Sequence, residues 1–192
     1  MRASIRCLVK WIVKKELRVL YEQHKAEIDE ILARYPVDRK RSALLPLLYL
    51  AQDVYGRLDR DSIREVAEIL DLPYTDVFEV VGFYTLFYNE EVGKVVLDVC
   101  DDVPCCFCGA EELVADLENR LGIKAGETTK DKVFTLRRVK CIAACDQAPV
   151  LQANLEFHNR VLPDKVEAML AKLRNDVESG KPVSISGRLA ER

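Results

Sequence analysis

The placement of cysteine limits what this chain can fold into more than any other feature of its sequence. Six of the seven cysteines lie between residues 100 and 145 of a chain of 192 residues. Clustered thiols bind metals, form disulfides or carry out dithiol redox chemistry, and each role requires them to meet in the folded chain. We therefore expect the function to reside in this segment. The six residues are Cys100, Cys105, Cys106, Cys108, Cys141 and Cys145.

Composition and charge exclude several classes of protein. Apolar residues make up 49% of the chain and charged residues 32%, so a core can be buried and general disorder is not expected. The net charge of −3 gives no general attraction for nucleic acid. No apolar run reaches the roughly 18 residues of a membrane span, so no transmembrane segment is predicted. Only His24 and His158 are present, which excludes a histidine-rich metal site.

The pattern of charge and hydrophobicity predicts four segments. Residues 1–15 carry five Lys or Arg residues and no acid, which predicts a basic amphipathic extension. Residues 16–92 follow helical spacing and predict an N-terminal helical bundle. Residues 93–175 alternate strand and helix patterns, and residues 176–192 predict a flexible C-terminal tail.

The role of the basic extension stays open between three alternatives. It can be a membrane-surface or targeting helix, a docking helix for an acidic partner, or a helical extension with a solvated face. Cys7 within this extension is interpreted as a small apolar filler rather than as a ligand.

Four helices are predicted in the bundle from apolar spacing and capping residues. The aromatic stretch 83–88 is interpreted as core or docking surface, because aromatic residues at helical spacing are usually buried or bound. The predicted helices cover 16–35, 40–56, a third segment capped by Asp61 or Ser62, and a fourth capped by Thr75 and reaching Phe87.

Strand patterns begin after residue 93 and predict a compact α+β protein, in which a mixed domain follows the bundle. Two strands that end on the same edge of a sheet would bring the loop of Cys100 and Cys105 beside the loop of Cys141 and Cys145. Strands are predicted at 94–99, 133–139, 149–153 and 156–161, with helices at 109–121 and 163–175.

Four kinds of chemistry compete for the cysteines. Disulfides fit poorly because no secretory signal is visible. Structural zinc would use four thiolates, but its ligands usually occur as close C-x-x-C pairs. Cys105 and Cys108 form one such pair between a strand and a helix, which also fits a thioredoxin-type dithiol. The dithiol leaves Cys141 and Cys145 unexplained, whereas a 2Fe–2S cluster uses both distant groups, because each iron needs two protein thiolates besides the bridging sulfides.

Several motifs occur in the order found in one known family. They are Cys100-x4-Cys105, Gly109-Ala110-Glu111-Glu112-Leu113, Leu121-Gly122-Ile123, Gly126-Glu127-Thr128, Phe134-Thr135-Leu136 and Cys141-x3-Cys145 followed by Ala148-Pro149-Val150. From about residue 35 to 175, the chain resembles the small 2Fe–2S subunits of the NADH-oxidising module of respiratory complex I, the E-type subunits of bacteria. Related subunits of NAD-linked hydrogenases and formate dehydrogenases stay open as alternatives.

The resemblance implies a thioredoxin-like 2Fe–2S ferredoxin domain at residues 93–175 that holds one cluster. By position, its ligands would be Cys100, Cys105, Cys141 and Cys145. Cys106 and Cys108 would then be spare thiols, although a thiol–disulfide oxidoreductase that uses Cys105 and Cys108 remains an alternative.

The resemblance also implies a place within a larger oxidoreductase. The chain would exchange single electrons with the FMN of a partner flavoprotein that binds NADH, and would neighbour the large iron–sulfur subunit. Its eight glycines contain no G-x-G-x-x-G or P-loop, so NADH:quinone oxidoreductase activity would need other subunits. The complex would lie on the cytoplasmic face of the bacterial inner membrane, or on the mitochondrial matrix side if residues 1–15 are a targeting segment.

Charged residues beside the cysteines lead to an expectation about the reduction potential. A cluster with four thiolates is negative before it gains an electron, and neighbouring acids oppose the further negative charge. We therefore expect a low potential, on the order of −400 mV or somewhat above. The acids are Asp101, Asp102 and Asp146. A solvated strand face, with docking or charge compensation as alternatives, is expected for Arg137, Arg138 and Lys140.

Backbone groups near the cysteines lead to two further expectations. Backbone N–H groups around Gly109 and Ala143 are expected to point at the cysteine sulfurs, and the helix that starts near Gly109 is expected to present its positive end. Pro149 begins a strand opposite the cysteine loops, where thioredoxin-like folds often keep a cis-proline, and a cis bond is predicted there.

Overall fold

The structure, a computed structural model, describes residues 19–180. The chain divides into two compact units at the junction between Glu91 and Val92. The predicted basic extension with Cys7, and residues 181–192 of the predicted tail, lie outside the described residues.

The first unit is built from helices around a core of leucine, isoleucine and valine. Its 3₁₀ helix, Val37–Ala43, leads directly into the longest α-helix of the unit. The α-helices are α1 (Val19–Gln23), α2 (Lys25–Ala33), α3 (Leu44–Tyr55), α4 (Arg60–Leu70) and α5 (Tyr74–Phe83).

The helix predicted over residues 16–35 is interrupted within the described part of the chain. His24 leaves helical backbone angles, with φ −119° and ψ 28°, and separates α1 from α2. The prediction of one continuous helix was therefore wrong, because apolar spacing continues across the break and does not reveal it.

The starts of two later helices differ from the prediction. Asp59 caps α4, where its carboxylate accepts the backbone N–H groups of Asp61 and Ser62 at 3.1 and 3.0 Å. The predicted caps Asp61 and Ser62 are therefore inside the first turn. Thr75 likewise lies inside α5, which begins at Tyr74 after Pro73.

Helix α5 ends at Phe83, before the predicted end at Phe87, because Tyr84 takes an extended backbone conformation. The buried Gln52 of α3 holds the segment that follows α5 through two hydrogen bonds. Its amide donates to the Leu86 carbonyl at 3.0 Å and accepts the Tyr88 N–H at 2.8 Å. The aromatic stretch is divided, since Phe87 is buried whereas Phe83 is 78% exposed.

Up to residue 180, the second unit consists of a four-stranded sheet in the order β2-β1-β3-β4, three α-helices and the 3₁₀ helix Cys145–Gln147. Strands β1 and β2 are parallel, whereas β1–β3 and β3–β4 are antiparallel. The elements are β1 (Val95–Cys100), α6 (Val103–Phe107), α7 (Ala110–Leu121), β2 (Phe134–Val139), β3 (Leu151–Ala153), β4 (Glu156–His158) and α8 (Pro163–Glu178).

The mixed sheet and helices confirm the α+β fold class. Sequence patterns missed α6, because a five-residue helix is too short to show apolar periodicity. Helix α8 continues to Glu178, so residues 176–178 are helical instead of belonging to the predicted tail. Strand β4 ends at His158, earlier than the predicted end at residue 161.

Candidate metal centre

The parallel pairing of β1 with β2 brings the two cysteine groups to one edge of the sheet. Val99 pairs with Arg138 and Cys100 with Val139, so both strands end at the same level. Cys100 is the last residue of β1, and Cys141 follows two residues after β2. The convergence expected from the sequence is thus produced by strand register.

Helix α6 carries the next two cysteines, and Cys108 follows it directly. Cys105 is 2% exposed, as is Cys100, and the two form one buried cluster with Ala110 at the start of α7. Cys106 is partly buried, and its thiol donates to the Asp101 carbonyl at 3.1 Å. Cys108 is exposed, like Cys141 and Cys145.

The four predicted ligands influence one another's ionisation in two pairs, Cys100 with Cys105 and Cys141 with Cys145. Burial raises the pKa of Cys105 to about 11, and a hydrogen bond with the Cys100 thiol acts in the same direction. Desolvation and the Cys141 sulfur raise the pKa of Cys145, and the charge of a Cys100 thiolate acts in the same direction. Cys145 in turn raises the pKa of Cys105, so the two pairs are close enough to interact. Because their raised pKa values keep Cys105 and Cys145 protonated at neutral pH, metal binding at these two thiols must displace protons.

Backbone N–H groups contact two of these sulfurs. The Ala143 N–H donates to Cys141 Sγ at 3.3 Å, as expected from the sequence, and Ala143 reaches this position with φ at +60°. The Val150 N–H is directed at Cys105 and lowers its pKa, opposing the larger effect of burial. This Val150 contact has no signature in the sequence.

Two expectations about the local backbone have different outcomes. The Ala148–Pro149 bond is cis, as predicted. The Gly109 N–H does not point at a sulfur, because it donates to the Cys106 carbonyl at 3.2 Å and closes α6. The expectation for Gly109 was therefore wrong.

Basic residues of β2 and the loop after it neutralise acids beside the site. Lys140 Nζ and Arg138 Nε lie 2.9 and 3.0 Å from the Asp101 carboxylate, and the Lys140 bond is the largest cause of its lowered pKa. Arg137 binds Asp98 through Nε at 2.7 Å, although burial raises the pKa of Asp98. The interpretation of these cations as a solvated face is wrong for Arg137, whose side chain is 24% exposed and is paired with the buried Asp98. It is confirmed for Arg138 and Lys140, which are exposed although both are ion-paired.

The arrangement of the thiols helps to choose between a single metal ion, a two-iron cluster and a thioredoxin-type dithiol. Within residues 19–180, no three His, Cys, Asp or Glu side chains are grouped closely enough to hold one metal ion. The four thiols instead form two neighbouring pairs, which fits the requirement of a two-iron cluster for two thiolates at each iron. A thioredoxin-type nucleophile needs an accessible thiol of lowered pKa, whereas Cys105 is buried and its pKa is raised.

Fold and site together define a class of protein: a small redox domain in which a parallel strand pair and a cis-proline surround a set of four thiols.

In the described part of the chain, no helix has the length and apolar character needed to cross a membrane.

Comparison with known proteins identifies the family. The family model for thioredoxin-like [2Fe-2S] ferredoxins matches residues 28–174. The chain belongs to this family, which confirms the thioredoxin-like fold and the resemblance that the cysteine motifs indicated. Its relatives are oxidoreductase subunits, which supports a role in electron transfer.

Two curated relatives, both E-type subunits of NADH-quinone oxidoreductases, illustrate the similarity. The second such subunit of Rhizobium meliloti (strain 1021) is 43% identical over 150 residues, which cover 78% of this chain and 88% of the relative. The corresponding subunit of Rickettsia bellii (strain RML369-C) is 42% identical over 149 residues, covering 77% of this chain and 89% of the relative.

A solved NAD+-reducing [NiFe]-hydrogenase in the H2-reduced state shares the fold. Its TM-score is 0.59 at 22% identity, and the match covers 67% of this chain and 22% of the hydrogenase chain. The air-oxidised state gives a TM-score of 0.60 at 21% identity, covering 70% of this chain and 24% of that one. The chain thus spans about a quarter of the hydrogenase chains.

Proposed function

We propose that this chain holds one 2Fe–2S cluster through Cys100, Cys105, Cys141 and Cys145, and that it is the small iron–sulfur subunit of an NADH-quinone oxidoreductase. The observation that carries the proposal is the parallel register of β1 and β2, which brings the segments of Cys100 and Cys141 to one edge of the sheet. A bound cluster of this kind would supply a site that takes up and returns one electron.

The residues of the chain would prepare this site in two ways. Burial of Cys100 and Cys105 excludes water from one side, whereas Cys141 and Cys145 are exposed on the other. N–H groups of Ala143 and Val150 directed at two sulfurs would stabilise thiolate charge, because donors aimed at sulfur offset added negative charge.

Electron exchange would take place with a partner subunit that carries FMN and oxidises NADH. The relatives at 42–43% identity are named as subunits of NADH-quinone oxidoreductase, which supports that host, with the large iron–sulfur subunit as a further neighbour. An NAD-linked hydrogenase is a less favoured host, because the hydrogenase chains share only 21–22% identity, and a formate dehydrogenase is kept as a further alternative. We place the complex on the cytoplasmic face of the bacterial inner membrane.

Cysteine variants test the ligand assignment. We expect Cys141→Ser to abolish or alter the EPR signal of the dithionite-reduced protein, because the cluster loses one thiolate. Cys108→Ser is the matched control and should leave the signal intact, because Cys108 is exposed and is not among the proposed ligands. Loss of the signal in Cys108→Ser with an unchanged signal in Cys141→Ser would contradict the assignment and favour a site built on Cys105 and Cys108.

A further inference from the structure

Asp101 is connected to several of the segments that surround the thiol site. It directly follows Cys100, and its backbone N–H donates to the Val139 carbonyl at 2.9 Å, which extends the β1–β2 pairing by one residue. Its own carbonyl accepts the Cys106 thiol at 3.1 Å. The backbone of Asp101 thereby joins the ends of both strands to α6.

The side chain of Asp101 adds a second set of connections. The carboxylate is 9% exposed and accepts from Lys140 Nζ at 2.9 Å and Arg138 Nε at 3.0 Å. Arg138 also binds Glu111 in the first turn of α7. An ion-pair network therefore links β1, the end of β2 and α7, and Lys140 is the residue immediately before Cys141.

We propose that Asp101 is a positioning residue of the cluster site, which holds the segments of Cys100, Cys105 and Cys141 in register through Lys140, Arg138 and the Cys106 thiol. The inference rests on the proposed function, because positioning matters here only if the thiols bind a cluster. It also gives Cys106 a structural role in place of that of a spare thiol.

The opposite charges of Asp101 and Lys140 predict opposite effects on the midpoint potential of the cluster. Asp101 and Lys140 each adjoin a proposed ligand, so each places its charge next to the site. A negative charge opposes the uptake of an electron and a positive charge favours it. Asp101→Asn should therefore raise the midpoint potential and Lys140→Met should lower it, with the double variant between the two.

The rate at which a chelator removes iron tests the positioning role. We expect Asp101→Asn and Lys140→Met each to accelerate bleaching of the cluster absorbance by about three-fold, because each breaks the same bridge. The double variant should be no faster than the faster single variant. Asp116→Asn is the matched control, since it breaks an ion pair with Arg120 of 2.9 Å within α7 and should leave the bleaching rate unchanged.

The outcomes separate this inference from the proposed function. A wild-type protein without iron would overturn the proposed function itself. A wild-type protein with a stable cluster, whose two single variants bleach at the wild-type rate or shift the potential in the same direction, would overturn the role of Asp101 alone. Lys140 is 82% exposed, so its replacement tests the bridge without disturbing the core.

Discussion

Glu65 is a carboxylate buried in the helical unit that joins three helices. Its oxygens accept the Leu20 and Tyr21 N–H groups at 2.8 and 3.3 Å and the Tyr55 hydroxyl at 2.6 Å. Burial raises the pKa of Glu65, and these hydrogen bonds act in the opposite direction by favouring the ionised form. The side chain therefore fixes α1 to α3 and α4 through bonds that no apolar residue could replace.

Replacement of this carboxylate should be costly. We expect Glu65→Ala to lower the free energy of unfolding by about 2–4 kcal/mol, because it leaves buried donors without an acceptor. Urea unfolding followed by circular dichroism measures the change. Glu68→Ala, at an exposed position of the same helix, should cost less than about 0.5 kcal/mol. Equal effects of the two variants would contradict this account of Glu65.

Asp131 gives the second unit a pH-dependent contribution to stability. The Thr129 hydroxyl, the Arg174 guanidinium and the Val133 N–H all donate to its carboxylate and lower its pKa to about 2. Because the pKa is lower in the folded than in the unfolded chain, the contribution is complete above pH of about 4 and is lost as the pH falls toward 2.

Asp131→Asn should therefore destabilise the protein at neutral pH and progressively less in acid. The carboxylate is 44% exposed, so solvent screening keeps the expected loss below about 1 kcal/mol. Urea midpoints from pH 6 down to pH 3 measure the difference from wild type, with the exposed Asp29→Asn as the control for a change of net charge. A difference that stays constant or grows as the pH falls would disprove the assigned cause.

The link between Gly93 and β2 depends on the absence of a side chain. A Cβ at Gly93 would lie 2.8 Å from the Phe134 carbonyl carbon and from the Val133 oxygen. Both atoms belong to the backbone, so relief requires the chain leading into β1 to move away from β2. Close approach at this point allows the Gly93 N–H to reach the Thr135 hydroxyl at 2.6 Å.

We expect Gly93→Ala to lower the free energy of unfolding by about 1–3 kcal/mol, as other overpacked sites do. Gly82→Ala is the matched control, because a Cβ there has no other atom within 4 Å and alanine favours the helix. Denaturant titration should show Gly82→Ala to be neutral or up to about 1 kcal/mol more stable. A stable Gly93→Ala variant would show that the approach to β2 is less close than described.

The sequence predicted the helices and strands whose residues show a regular hydrophobic pattern. It missed features that are too short to show such a pattern or that depend on residues distant in sequence. A run of β-branched residues predicted β1 and an alternating pattern predicted β2, and the parallel ends of these strands explain why the cysteine groups meet. Helix α6 was missed because it spans five residues. The pairing of Asp101 with Lys140 depends on register between segments nearly forty residues apart, and only the known β1–β2 register would have predicted it.

At the scale of the whole molecule, the proposed function makes the chain an electron-transfer component that would rely on other subunits for hydride chemistry. The sequence has no dinucleotide-binding or phosphate-binding glycine motif. We therefore expect NADH alone to leave the visible absorbance of the purified chain unchanged, whereas dithionite bleaches it. Addition of the flavoprotein partner should enable bleaching by NADH. Rapid bleaching of the isolated chain by NADH would contradict this division of labour.

The central claim is that the two thiol pairs hold two bridged irons, and metal content tests it most directly. The measurement is the iron and acid-labile sulfide content of the full chain after anaerobic purification. We predict about two irons and two sulfides per chain, in keeping with a cluster of this type. Zinc in place of iron, or protein that contains neither iron nor sulfide, would contradict the claim.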